Sequence, residues 1–148
     1  MRAVIQRVKQ AEVIVGEQKA QIGKGLVVLV SVEEADTQED IVWLAQKIVN
    51  MRIFDENGVM NLSLSDVNAE LMIVSNFTLH ASTKKGNRPT YLLAAKREIS
   101  EPMYDKFVQY FISEYSIDVK TGCFGADMLV NIANDGPVTI IIDSKLRF

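Results

Sequence analysis

The chain has 148 residues, 48% hydrophobic and 24% charged, with a formal net charge of −3 at pH 7, the size and balance of one globular unit with one core. One cysteine, Cys123, excludes an internal disulfide, and one histidine, His80, leaves too few soft ligands for the usual Zn²⁺ site, which points to an intracellular, metal-free protein. The longest apolar run, Leu26 to Val30, is too short to span a bilayer, the N-terminus lacks the hydrophobic block of a signal peptide, and the acidic balance argues against a broad grip on nucleic acid.

Met1 to Arg7 alternates apolar and polar residues, so Arg2–Val15 is read as the first strand of a meander. Gly16-Glu17 turns the chain and Ala20–Ile22 returns it. Gly23-Lys24-Gly25 then leads into Leu26–Val32, which is apolar on both faces like a central buried strand. Thr37 with Asp40 three residues on has the spacing of a capping box, which satisfies free amides at a helix start. Ile41, Leu44, Ala45, Ile48 and Met51 follow at helical spacing, while Trp43 lies off that stripe and is available to a second surface, such as another subunit. Arg52-Ile53-Phe54 reads as a short strand ending in the turn Asp55-Glu56-Asn57-Gly58.

Leu71–Val74 is another apolar strand, running straight into Ser75-Asn76-Phe77-Thr78-Leu79. Two hydroxyls, an amide and an aromatic at a strand end either bond local backbone or stand on a rigid frame whose amides can bind a developing oxyanion. If the strand continued, Thr78 and His80 would share a face, and a hydroxyl beside an imidazole is the start of an acyl-transfer site. The orienting third group that such a site needs has no signature in the sequence. Lys84, Lys85 and Arg88 fall within five residues on a loop ending at Pro89, with Lys96 and Arg97 beyond; a solvated face and a phosphate contact both fit.

A short helix is expected over about Tyr91–Arg97, and a longer one opening at Ser100-Glu101-Pro102 with Met103, Phe107, Tyr110, Phe111 and Glu114 along an aromatic-rich face. Two last strands, about Met128–Ala133 and Val138–Asp143, flank Asn134-Asp135-Gly136-Pro137, which reads as a hairpin turn. Proline is awkward there, because it removes an amide from the next strand's ladder and restricts the residue before it. A cis bond is one solution, and a cis Gly-Pro pair would present rigid backbone with little side-chain bulk, a steric gate. The expected class is mixed α+β, with more strand than helix.

Several of these stretches, taken in order, resemble the D-aminoacyl-tRNA deacylase family, whose older name is D-tyrosyl-tRNA deacylase. The resemblance rests on Met1-Arg2-Ala3-Val4-Ile5-Gln6-Arg7-Val8, Ile22-Gly23-Lys24-Gly25-Leu26, Met60-Asn61-Leu62-Ser63-Leu64, Thr121-Gly122-Cys123-Phe124-Gly125-Ala126-Asp127-Met128 and Asn134-Asp135-Gly136-Pro137-Val138-Thr139, and it covers essentially the whole chain. The family's Ser-Gln-x-Thr motif falls on Ser75-Asn76-Phe77-Thr78, with asparagine one methylene shorter than glutamine, and its Gly-cisPro motif falls on Gly136-Pro137. His80 stands where the family often has tyrosine, so the resemblance lends no support to a histidine base.

The resemblance implies one domain over 1–148, a mainly antiparallel, barrel-like sheet with a few packed helices, and a homodimer with its active sites at the interface. Gly136-Pro137 of one subunit would reach into the pocket holding Ser75, Asn76, Phe77 and Thr78 of the other. The substrate would be the 3′ end of an aminoacylated tRNA, carrying a D-amino acid or glycine. Ala126 and Met128 would line an adenosine pocket, and Lys84, Lys85 and Arg88 would meet acceptor-stem phosphates. No cofactor, metal or membrane contact is implied, and the location would be cytoplasmic. Two readings from other classes compete: a catalytically silent dimeric RNA-binding module, and a small-ester hydrolase using Thr78 and His80.

Overall fold

A computed structural model describes residues 1–147. In chain order the elements are β1 (Arg2–Val15), β2 (Gln18–Ile22), β3 (Gly25–Ser31), α1 (Gln38–Asn50), β4 (Phe54–Glu56), β5 (Val59–Leu62), β6 (Glu70–Ser75), a 3-10 turn (Phe77–His80), α2 (Arg97–Tyr115), β7 (Val119–Thr121) and β8 (Leu129–Asp143). β2 and β3 follow one another along one edge of β1, against Ala11–Val15 and Arg2–Val8 respectively, while β8 runs along the other edge, all antiparallel. β6 then joins β3 in parallel and β7 joins β6 in parallel, so the six-stranded sheet is mixed at its centre and antiparallel around β1.

Both faces of this sheet are buried at its centre, which is why β3 is apolar throughout. Leu26, Val28, Val30, Leu71 and Ile73 meet the helices, packing with Ile41, Leu44 and Ile48 of α1 and Tyr104, Phe107 and Phe111 of α2. Val27, Met72 and Val74 point the other way, into a smaller cluster with Val8, Ala11, Val13 and Ile22. Strict alternation would put Ala11 and Val13 with Ala3 and Ile5 on the helix side. Instead Val8 pairs Asn134 and Gln10 pairs Ala133, so Lys9 is an extra residue that flips the strand and sends Ala11 and Val13 to the second cluster. Gly25 is required for its own reason: a Cβ there would lie 2.0 Å from the Glu70 carbonyl oxygen.

Several expectations hold and several shift. The Thr37 amide donates to Asp40 (2.8 Å) and α1 starts at Gln38 as its capping pattern predicts, although Met51 falls one residue outside it. Trp43 is half-buried against the core, with the Lys47 ammonium 5.6 Å and the Arg147 guanidinium 5.8 Å from its ring centre. The strand expected at Arg52–Phe54 is displaced to Phe54–Glu56, because Asn57 and Gly58 take positive φ and close a hairpin onto Val59–Leu62. No helix forms over Tyr91–Arg97. The Ala95 amide donates to Val32 O (2.9 Å), tying that stretch to the end of β3, and α2 begins at Arg97. Pro102 therefore lies inside α2 and not at its opening, and Glu114 is exposed, whereas Tyr104 joins the buried face.

The largest correction concerns the last two strands. Met128–Ala133 and Val138–Asp143 are not the arms of a hairpin but parts of one strand, β8, which follows β1 from Ile14 back to Arg2. Asn134 pairs Val8 and Thr139 pairs Gln6, so the four residues Asp135–Val138 stand opposite the single residue Arg7. Gly136-Pro137 is thus the crest of a bulge, where proline removes no ladder hydrogen bond.

Candidate active site

β3 and β6 are parallel, so their C-terminal ends come together, and such ends are where parallel strands usually present a crevice. A cavity of about 530 Å³ opens there, lined by Ser31 of β3, Ser75 of β6, Asn76 and Phe77 beyond it, and Ala126 and Met128 before β8. Five sequence-predicted site residues, Ser75, Asn76, Phe77, Ala126 and Met128, are therefore brought to one cavity.

The chain leaves β6 abruptly. The Asn76 amide donates to Val30 O (2.8 Å), holding the exit to the end of β3, and the next four residues coil into the 3-10 turn. The first amides of such a turn, those of Phe77 and Thr78, have no acceptor inside it. The Thr78 hydroxyl donates to Asn76 Oδ1 (2.5 Å), so the asparagine carboxamide is occupied in orienting the threonine. The Phe77 ring is 58% exposed and meets Tyr91 edge-on, with centroids 5.0 Å apart.

Because the strand does not continue, Thr78 and His80 do not share a strand face. His80 turns inward, 2% exposed, with Nδ1 2.7 Å from the Ser31 hydroxyl. Burial, together with the positive charges of Arg2 and the Met1 ammonium, keeps its pKa below the ordinary histidine value, only partly countered by Asp36 and Asp143. The Thr78 hydroxyl and the imidazole thus have separate partners, and the nucleophile-base pair considered for a small-ester hydrolase is not assembled.

Gly136-Pro137 is a cis pair, exposed on the β8 bulge and not among the residues lining this cavity. Arg7 supports the bulge from beneath. It is 6% exposed, donates from Nη1 to Ile53 O (2.7 Å) and Asp55 Oδ1 (3.1 Å), and reaches the Asp135 carbonyl with Nε (3.3 Å). Gly136 has φ +118°, and a Cβ there would lie 2.9 Å from Val138 Cγ2 and 3.1 Å from Arg7 Nη2. Across the bulge the Asn134 carboxamide donates to Thr139 Oγ1 (3.0 Å).

Lys84, Lys85 and Arg88 are exposed on a loop closed by paired hydrogen bonds between Ser82 and Thr90 (2.8 and 2.9 Å), away from the cavity lining. The described residues contain no cluster of three or more His, Cys, Asp or Glu placed to hold a metal, and no helix long and apolar enough to cross a membrane. Sequence reasoning missed Ser31, Tyr104 and Arg7. Tyr104 had a signal, being three residues before Phe107 and seven before Phe111 on one helix face. Its hydroxyl donates to Ile73 O (2.8 Å), and burial pushes its pKa up.

Comparison with known proteins adds relatives over the full length. The family model described as D-Tyr-tRNA(Tyr) deacylase matches residues 4–143. A Flavobacterium johnsoniae protein named D-aminoacyl-tRNA deacylase is 60% identical over 99% of both chains, and a Parabacteroides distasonis protein of the same name is 59% identical over 98% of both. Among solved structures, one described as a c-Myc DNA unwinding element binding protein superposes with a TM-score of 0.89 at 40% identity, covering 97% of this chain and 98% of the other. Another, described as a probable eukaryotic D-amino acid tRNA deacylase, gives 0.82 at 16% identity over 95% and 97%, a likeness of fold.

Proposed function

The chain belongs to the D-Tyr-tRNA(Tyr) deacylase family, and from that premise we propose that it hydrolyses the ester joining a D-amino acid to the 3′ end of tRNA in the cavity beside the Phe77–His80 turn. The observation that carries this reading is that the Phe77–His80 turn, whose first two amides have no acceptor inside it, starts on the cavity lining, where Asp127 is the one carboxylate and no histidine stands. His80, the chain's one histidine, is buried against Ser31 behind that lining. Such a site suits a reaction in which amides bind the oxyanion and the substrate supplies its own activating group, the terminal ribose hydroxyl, for the attacking water.

Chirality then follows from geometry. With carbonyl, ribose and α-amino group each held, one direction at Cα is open and the other meets a wall. In this proposal the wall is Gly136-Pro137 of a second copy of the chain, whose carbonyl oxygens hold the amino group. The exposed bulge, the outer edge of β8, which pairs no second strand among the described residues, and the exposed Leu129 and Ile141 flanking the bulge support a homodimeric assembly. A D-side chain points outward, so its size matters little, and glycine, with no Cβ, passes the same screen. Ala126 and Met128 would contact the terminal adenosine, and Lys84, Lys85 and Arg88 the acceptor-stem phosphates. The setting would be the cytoplasm, with neither metal nor cofactor.

Matched D- and L-aminoacyl-tRNAs test the reading directly. D-ester loss should exceed L-ester loss by about 10³ or more, since a steric wall can reject more strongly than the roughly 1–3 kcal/mol, about 10–200-fold, of a missing methylene. A substrate ending in a 2′-deoxyadenosine should be cleaved far more slowly. Tight tRNA binding with no D-selective ester loss would sink the deacylase proposal and favour a silent RNA-binding module.

A further inference from the structure

Ser31 and His80 are both almost fully shielded; His80 closes the turn that carries the proposed oxyanion amides, and Ser31 touches that turn from the end of β3. Ser31, 2% exposed, is the last residue of β3 and lines the cavity. Its Oγ is 2.7 Å from His80 Nδ1 and 3.4 Å from the carbonyl oxygen of Phe77, to which it donates. A hydroxyl carries one hydrogen. With that hydrogen on Phe77 O, the tautomer that completes the set is the one protonated at Nδ1, which then donates to Oγ. In that arrangement a directed chain, Nδ1–H to Oγ–H to the Phe77 carbonyl, fixes the peptide plane between Phe77 and Thr78, and hence the direction of the Thr78 amide. The second contact on the same turn comes from Arg2, paired with Ser31 across β1 and β3, whose Nη1 donates to Leu79 O (2.9 Å).

We infer that Ser31 and His80 form a positioning relay beneath the turn, aiming the Thr78 amide at the reacting carbonyl without touching the substrate. The reading rests on the deacylase proposal for its catalytic consequence, though not for its structural one. Groups facing His80 are Arg2 and the Met1 ammonium on the cationic side and Asp36 and Asp143 on the anionic side, and the burial that lowers its pKa keeps the ring neutral, with one nitrogen free of hydrogen. A pre-aimed amide matters because oxyanion donors act through fixed direction: removing one in other hydrolases costs about 10²–10³ in kcat, and merely loosening one should cost less, on the order of tenfold.

Four variants of the full chain test this: Ser31→Ala, His80→Ala, their double mutant and His80→Asn, whose carboxamide nitrogen replaces the Nδ1–H donor. With D-aminoacyl-tRNA, each alanine variant should lose about tenfold in kcat with KM changed less than twofold, the double mutant should be no worse than either, and His80→Asn should recover most of the loss. Amide hydrogen exchange at Leu79 and Ala81, whose bonds to Asn76 O and Thr78 O define the turn, should quicken in the alanine variants and return in His80→Asn. Unchanged kcat per folded enzyme together with unchanged exchange would overturn the relay, as would a fall in melting temperature alone or a His80→Asn variant no better than His80→Ala. If the wild type shows no D-selective turnover but exchange follows the expected order, the deacylase proposal fails and the relay survives as a device holding the turn.

Discussion

Arg7 occupies the one β1 position opposite four residues of β8, and its guanidinium uses a planar fork that lysine lacks. Arg7→Lys keeps the charge but cannot reach Ile53 O, Asp55 and Asp135 together, so it should cost about 2–4 kcal/mol in urea unfolding. It should also narrow the gap between D- and L-ester hydrolysis. Gly136→Ala places a Cβ against Val138 and Arg7 at a φ that L-residues avoid, a cost of about 1–3 kcal/mol that the same unfolding curve would register. Asn76→Asp keeps an acceptor for the Thr78 hydroxyl and should retain turnover, whereas Asn76→Ala frees the hydroxyl and should lower kcat several-fold. At this scale the sequence was legible where the residues are neighbours. Ser75 to Thr78 and Gly136-Pro137 stand out as short strings with local chemistry. Ser31 and Arg7 do not, because a serine ending an apolar strand and an arginine in an alternating one acquire their roles only from the strand register.

β8 illustrates what pattern alone resolves at the scale of an element. Apolar runs on either side of Asn-Asp-Gly-Pro match a hairpin and a bulge equally well, and only the length of the partner strand, β1, decides between them. α1 was legible because its cap and stripe are local; the start of α2 was not, because the Ala95 bond to Val32 O reorganises the approach to it. The N-terminus of α1 is also tied to the segment after β8. Burial alone would raise the pKa of Asp40, but hydrogen bonds from Lys145, Ser144 and the Thr37 amide outweigh it and hold the carboxyl far below the usual range. Asp143 behaves alike through the Leu146 amide, Arg2 and the Lys145 amide. Both groups are depressed in the fold, so their stabilisation is complete above the ordinary aspartate value and is lost as pH falls through the folded one. Neutral His80, also depressed, resists protonation and adds a shallower loss beginning below about pH 6.5. Melting temperature against pH should therefore fall gently from neutrality and steeply below about pH 4, with Asp40→Asn flattening the steep limb.

For the molecule as a whole, a sheet with an apolar cluster on each face follows from β3 and β6 being apolar on both faces, a pattern visible in the sequence. The parallel placement of β6 beside β3 was not visible, since strand order depends on how α1 crosses over. Within one copy, the cavity and the Gly136-Pro137 crest stand apart, and a site shared between two copies makes a definite statement about mixtures. A Thr78→Pro subunit lacks one turn amide, and a Gly136→Val subunit lacks a usable crest. Each alone should be inactive, while equal mixing after exchange of subunits should restore about a quarter of wild-type turnover, since half the dimers are mixed and each holds one intact site. No recovery in mixtures shown to exchange would place both halves of the site on one copy. In the proposed assembly β1 would set the spacing between turn and crest. Arg2 near its start grips the Phe77–His80 turn through Leu79 O, and Arg7, five residues on, grips the crest through Asp135. About 17 Å of extended backbone separates these grips. If the crest of one copy screens the substrate held on the turn of another, as proposed, this stiff strand anchored on both edges would act as a ruler, the same short length of peptide in each copy setting the distance that tells one mirror image from the other.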